Sequence, residues 1–323
     1  MNNDRINYIN TGLIILSCIV AFFIPFELFL FSYGVLGPLH YLTEIGWLHK
    51  KNYYTKGKYD FLFLVVLCAI LFYISFIKPT RDATLVPDLM LFGFLISLIF
   101  VFIKDWLYRG VLALLTVVVI GFLNNSNSYF MWIGVFLPTI IHVFIFTWLF
   151  MLYGVLKEKS KSGFISVIVL IVCAISFFVI QPNSLNYTVN AYIQGSYRMF
   201  DLLNFYLINF LHLDQLKDVS EIFKTNAGFV VMRFIAFSYT YHYLNWFSKT
   251  SVIKWHQVPK KNLIFTLSVW LISVGLYIYD YNVGMHALFF LSFLHVFLEF
   301  PLNFVSFTGI GKEVSLMLKQ SKN

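Results

Sequence analysis

The stretch DFLFLVVLCAILFYISFI, residues 60–77, carries a charge at its first position and nowhere after it. At the α-helical rise a run of this length spans about 27 Å, close to the ~30 Å hydrocarbon core of a bilayer. It reads as a membrane-crossing helix. Working outward, nine further segments read the same way: 8–24, 27–48, 87–103, 107–123, 128–154, 163–181, 228–248, 262–280 and 284–305. Pro25 lacks an N–H and clashes with the preceding turn. Phe23–Glu27 is therefore read as a tight hairpin turn between the first two spans.

Composition points the same way. Hydrophobic residues make up 59% of the chain and charged residues 12%, with a mean hydropathy of +0.78. A soluble domain carries about 25% charge, so this chain cannot clothe a water-facing surface. The expected fold is an all-α, polytopic integral membrane bundle of about ten transmembrane helices, forming a single transmembrane domain over 1–323. No nucleotide loop, zinc ribbon, disulfide framework or nucleic-acid module is present, and no nucleic-acid partner is expected. Cys18, Cys68 and Cys173 lie in apolar runs, where thiols act as small hydrophobes. The N-terminal stretch lacks the pattern of a removable signal peptide.

The formal charge of +8 is a topology signal. With the N-terminus inside, the cytoplasmic segments hold 17 Lys and Arg residues and the opposite side holds 5, namely Lys78, Arg81, Arg198, Lys217 and Lys224. That asymmetry places both termini in the cytoplasm, in a multi-pass protein of a bacterial inner membrane. Residues 182–227 then lie outside, longer than a simple connection. Within them Met199, Leu202, Leu203, Tyr206, Leu207, Phe210 and Leu213 recur at helical spacing. They predict an interfacial helical insertion, either a lid over an external opening or a packing cap.

Ionisable groups inside a span are costly and mark candidate sites. His40 and Glu44 stand four apart, and His295 and Glu299 repeat the spacing on the last span. Residues four apart share a helix face. His40 lies about 13 Å above the cytoplasmic end of its span, His242 about 10 Å and His295 about 15 Å. Three distant segments thus deliver imidazoles to one level, with both glutamates a turn lower. The expected metal ligands are His40, Glu44, His242, His295 and Glu299. His142 sits higher but follows Pro138, whose kink turns it inward as a further candidate. His256 is a candidate capping ligand from below. Glu44 and Glu299 are read as ligands or bridges with catalytic roles, and Tyr241 and Asn245 as residues that shape the pocket or orient substrate. His49 and His286 point away from their partners, His212 is interfacial, and Arg233 and Asp280 are read as a structural pair.

Imidazole and carboxylate donors suit iron, with zinc and manganese as alternatives. The bilayer supplies a lipophilic substrate such as a fatty acyl lipid, sterol or carotenoid. The arrangement resembles, in architecture, membrane histidine-box oxygenases and desaturases and the bacterial carotene-cleaving dioxygenases with histidines on several spans. The HxxxH and HxxHH boxes of the former are absent, and Gly37-Pro38-Leu39-His40 does not match the Pro-His-Gly-type motif of the latter. The expected function is a non-haem metal oxidoreductase of the oxygenase, hydroxylase or desaturase type, supplied by an electron donor. The alternatives are a proton- or cation-coupled transporter using the same cluster, and a lipid-modifying transferase with His242 or His295 as general base.

Overall fold

A computed structural model describes residues 3–78, 84–180, 188–249 and 258–320. All regular structure among them is helical. Eight helices are long and apolar enough to cross a membrane: Asp4–Phe23, Asp60–Ile77, Leu85–Phe102, Trp106–Leu123, Phe130–Glu158, Lys161–Val179, Lys260–Tyr279 and Tyr281–Gln320. In chain order the α-helices are α1 (Asn3–Phe23), α2 (Pro25–Phe31), α3 (Gly37–Lys50), α4 (Asp60–Phe72), α5 (Leu85–Phe102), α6 (Trp106–Leu123), α7 (Thr147–Glu158), α8 (Lys161–Val179), α9 (Ala191–Tyr197), α10 (Asp201–Phe210), α11 (Asn226–Ser248), α12 (Lys260–Tyr279) and α13 (Tyr281–Gln320).

The two expected spans outside that set of eight are 27–48 and 228–248. Both are helical. The first is assembled from α2, a π-helical turn over Ser32–Leu36 and α3. The second, α11, is diluted by Arg233, His242, Asn245 and several tyrosines. Their lower apolarity has a physical reason: they lie inside the bundle, where protein surrounds them. In α11, 19 of 23 residues are buried. The most exposed spanning helices are α6 and α12, and α12 leaves Ile264, Phe265, Ile272 and Ile278 exposed.

Chain reversal after α1 occurs at Ile24, whose φ of −134° and ψ of 59° leave the helix just before Pro25. Beyond it, α1 packs on α8 and α11, whereas α13 packs on α3, α4, α5, α7 and α12. Two hydrophobic clusters result. One gathers α1, α2, α8, α11 and the 191–223 segment; the other gathers α3, α4, α5 and α13. Close helix contacts depend on missing side chains: Gly93 leaves room for the Phe297 ring and Gly309 for Tyr153. α13 runs on to Gln320, about 60 Å of helix rather than the expected span 284–305, so its C-terminal third extends past the bundle.

The 182–227 insertion contains α9, a 3-10 turn at Arg198–Phe200, α10 and a second 3-10 turn at Val219–Phe223. Its buried face, Leu203, Asn204, Leu207 and Ile208, rests on α11 and on the helix beginning at Phe130. Arg233 and Asp280, expected to pair, take different partners. Arg233 donates from Nε to the Phe22 carbonyl at 3.2 Å and lies over the Phe22 ring, while Asp280 accepts from the Val283 amide at the start of α13.

One buried ion pair ties α4 to α6. Arg109 donates to both Asp60 oxygens, at 2.8 and 3.0 Å, and from Nε to the Ile103 carbonyl. Both residues are buried, so removing one partner strands the other's charge. Arg109→Leu is expected to destabilise the protein by about 3–5 kcal/mol, with the Asp60→Leu/Arg109→Leu double variant recovering much of the loss. Thermal denaturation of the four proteins in detergent measures the coupling.

Candidate metal centre

Four helices that are far apart in sequence meet at one point in the seam between the two hydrophobic clusters. From α3, His40 and Glu44 project on one face, their nearest atoms 3.0 Å apart. From α13, His295 and Glu299 repeat the arrangement. His242 comes from α11, and its Nδ1 meets the Thr147 hydroxyl at 2.7 Å. The Phe130–Phe146 helix adds His142, whose Nδ1 lies 3.5 Å from the Glu299 carboxylate. All six side chains are buried, with relative exposures from 1% for His40 to 9% for Glu299.

His40, His242 and His295 form a buried group able to hold a metal ion, with one ligand atom from each lying within 4.8 Å of the others. Metal–imidazole bonds of about 2.1 Å at tetrahedral angles bring such nitrogens to roughly 3.4 Å from each other, so closure asks each pair of rings to draw together by up to about 1.4 Å. The rings are braced from outside. Tyr41 stacks on His295 at 4.3 Å, and the Trp246 edge meets His40 at 5.7 Å. Trp246 is held in turn by its indole N–H donating to Thr43 Oγ1 at 2.9 Å.

His142 is part of the gathering, its ring 5.0 Å from that of His242 and 5.3 Å from that of His295. Counting residues at the α-helical rise puts it too high. The segment Phe130–Phe146, which contains Pro138, is a π-helix. Its i→i+5 bonding makes wider, shorter turns, which lowers and rotates His142 toward the other rings.

Among the described residues, thirteen buried side-chain nitrogen and oxygen atoms lack a hydrogen-bond partner, and eight of them belong to these six residues. Even the 3.0 Å approach of His40 Nε2 to Glu44 lacks hydrogen-bond geometry. Each such atom costs about 1–3 kcal/mol, so the set costs on the order of 10 kcal/mol, as much as the whole net stability of a typical domain. A cation held by His40, His242 and His295 would engage one nitrogen of each. A pocket of about 30 Å³ beside them is lined by His40, Glu44, His242, Asn245, Lys249 and Glu299. One water needs about 10–15 Å³, so the pocket has room for a coordinated water.

On the other side of the rings lies a larger cavity of about 220 Å³. His142, His242 and His295 form its floor, and Met199, Phe200, Leu202 and Leu203 of the insertion form its roof. Its walls are chiefly Phe, Val, Leu and Met, broken by the phenols of Tyr33, Tyr41, Tyr239 and Tyr243. Tyr41 and Tyr243 touch through their hydroxyls at 3.2 Å, and Tyr33 reaches Ser292 at 2.9 Å.

The remaining sequence candidates fall in several places. Tyr241 points away from both cavities and donates to Met151 Sδ at 3.3 Å. Asn245 lines the small pocket with its Oδ1 unpartnered. His256 lies outside the described residues. His49 meets the Tyr53 hydroxyl, His286 donates to the Asn282 carbonyl, and His212 is exposed. Sequence reasoning missed Thr147, Tyr41 and Lys249. Thr147 had one signal, a hydroxyl placed five residues after His142 within an apolar run. Comparison with known protein families, with curated proteins and with solved structures finds no match to this chain.

Thr147 fixes the His242 ring by its hydrogen bond at Nδ1, leaving Nε2 free to face the centre. Loss of such a partner lowers metal affinity about 10–100-fold. Thr147→Val is expected to weaken metal binding by that factor while Thr147→Ser retains it, as read by competition titration against a chromophoric chelator.

Proposed function

We propose that this chain is an integral membrane metalloprotein, a non-haem metal oxidoreductase acting on a lipophilic substrate. The observation that carries the reading is the convergence of His40, His242 and His295 within ligand distance, with their nitrogens and the neighbouring carboxylates unpartnered. Eight helices with the length and apolarity to cross a bilayer support the membrane setting. Imidazole with carboxylate is a donor set suited to iron, and the residues fit it: three histidines as ligands, Glu44, Glu299 and His142 as ligands or direct supports. A bound iron ion would supply one-electron chemistry and activation of dioxygen.

The residues of the chain supply the rest. The apolar walls of the outer cavity favour a hydrocarbon portion of the substrate over water, and exclusion of water strengthens every electrostatic contact within. The phenols of Tyr41 and Tyr243 face that cavity, where they can donate to a hydroxyl or carbonyl and so orient the reacting carbons over the histidine floor. Glu44 and Glu299 hold their carboxylates on the opposite side, next to the small polar pocket. The centre therefore divides an apolar compartment from a polar one. That division also suits the alternative reading, a cation carrier, in which the same groups bind an ion in transit.

Metal content separates the two readings. Protein purified in detergent is expected to carry about one equivalent of tightly held iron per chain. His40→Ala, His242→Ala and His295→Ala should each lose most of it without losing the helical circular-dichroism signal. Metal that exchanges freely and moves across proteoliposomes with a pH gradient favours the carrier. Full metal retention in all three variants overturns both.

A second expectation concerns stability. If the ion satisfies the unpartnered atoms, a ligand at a hundredfold excess over its Kd adds about 2.7 kcal/mol. Ferrous iron added to stripped protein under anaerobic conditions should raise the melting temperature, and His295→Ala should abolish the rise. In the stripped state Glu299→Leu should melt no lower than the unaltered protein, because it deletes a buried carboxylate whose Oε2 has no hydrogen-bond partner.

A further inference from the structure

A second cavity, of about 260 Å³, opens between α1, α7, α8 and α11 at the lysine-rich end of the bundle. Its lining is unlike that of the outer cavity. Asn7, Asn10, Glu158, Ser166 and Asn245 supply oxygen and amide groups, and Lys157 and Lys249 supply ammonium groups. It shares Phe150, Asn245 and Lys249 with the small pocket beneath the histidines, so the two spaces abut with these side chains as the partition. Asn245 is 6% exposed and its Oδ1 has no partner. Lys249 Nζ lies 3.8 Å from the centre of the Phe150 ring, on the wall of the pocket that Glu44 and Glu299 also line.

An ion has to reach a centre whose ligands are almost wholly buried. Moving a bare cation through the phenylalanine- and leucine-lined outer cavity incurs a desolvation cost of several kcal/mol or more. A path of amide and carboxylate oxygens replaces water stepwise. The partition itself holds a cation, the Lys249 ammonium, facing the same two carboxylates that an incoming ion would face.

We propose that this second cavity is the entry vestibule for a divalent cation and that Lys249 is its gate, an ammonium on the wall of the pocket that Glu44 and Glu299 also line, which the ion displaces as it enters. The proposal rests on the metal-centre reading. Its chemistry is cation exchange: the ammonium swings off Phe150 into the vestibule as the ion passes, and no covalent bond changes.

The experiment follows uptake of cobalt(II) by stripped, full-length protein in detergent, using the visible absorption of the bound ion in a stopped-flow instrument. Gly154 lines the vestibule, and a Cβ built on it meets no atom within 4 Å, so a large side chain there fills space without disturbing packing. Gly154→Trp should slow uptake about tenfold or more, as an added entry barrier of about 1.4 kcal/mol would, with the final stoichiometry unchanged. Lys249→Met should speed it. In a background with Cys18, Cys68 and Cys173 replaced by alanine, Gly154→Cys should react with a charged, membrane-impermeant thiol reagent. The labelled protein should then load slowly while the same protein unlabelled loads normally, a control that holds even if Gly154→Trp folds poorly. If cobalt binds and both the tryptophan and labelled variants load at the original rate, the vestibule is overturned and the metal centre stands. If cobalt does not bind at all, the centre falls and the vestibule falls with it.

Discussion

A polar atom without water must find a partner inside the protein, and in a chain this apolar the interior offers few. That constraint organises the structure. The stretches that carry the polar groups, α3, α11 and the part of α13 around His295, are packed against other helices, and α6 and α12 are the most exposed. The buried carboxylate of Asp60 is tolerated because it is answered locally. Asp60 meets both arms of Arg109. At the histidine centre the side chains leave one another unanswered, and that is what marks it as a place for something else.

Much of this was legible in the residues themselves. The four-residue spacing of His40 with Glu44 and of His295 with Glu299 defines a face wherever the chain is α-helical, and both stretches are. Depth counting brought His242 to the same level, since α11 is regular from Asn226 to Ser248. The same counting failed for His142, because nothing in its local sequence declares a π-helix beyond the presence of Pro138. A change of bonding from i→i+4 to i→i+5 changes the angular step per residue, and so turns His142 to a face that α-helical counting does not give it.

Other features depended on packing that periodicity does not encode. Tyr241, Tyr243 and Tyr239 are near neighbours along one helix, yet the first faces Met151 while the other two line the outer cavity. A step of about 100° per residue separates those roles, and only knowledge of which helices flank α11 tells which direction is inward. Lys249 illustrates the same limit. In sequence it is one lysine in a topogenic cluster, and in space it lies against Phe150 beside two buried glutamates. Hydropathy likewise undervalues α3 and α11, which line the centre and carry polar residues among their apolar ones.

The placement of the centre gives a reason for its asymmetry. A membrane protein that treats a lipophilic molecule with an ion must keep two incompatible reactants apart until they meet, one soluble in hydrocarbon and one only in water. Under the proposed function the histidine layer would be that boundary. Above it stand aromatic and aliphatic walls beneath the roof of the 191–223 segment; below it stand carboxylates, amides and a lysine. On that reading, exchanging the two linings would strand the ion in hydrocarbon and the substrate in a polar cleft. Four helices are needed because two cavities of opposite character must each touch the same small set of rings, and no single helix pair has enough faces to do so.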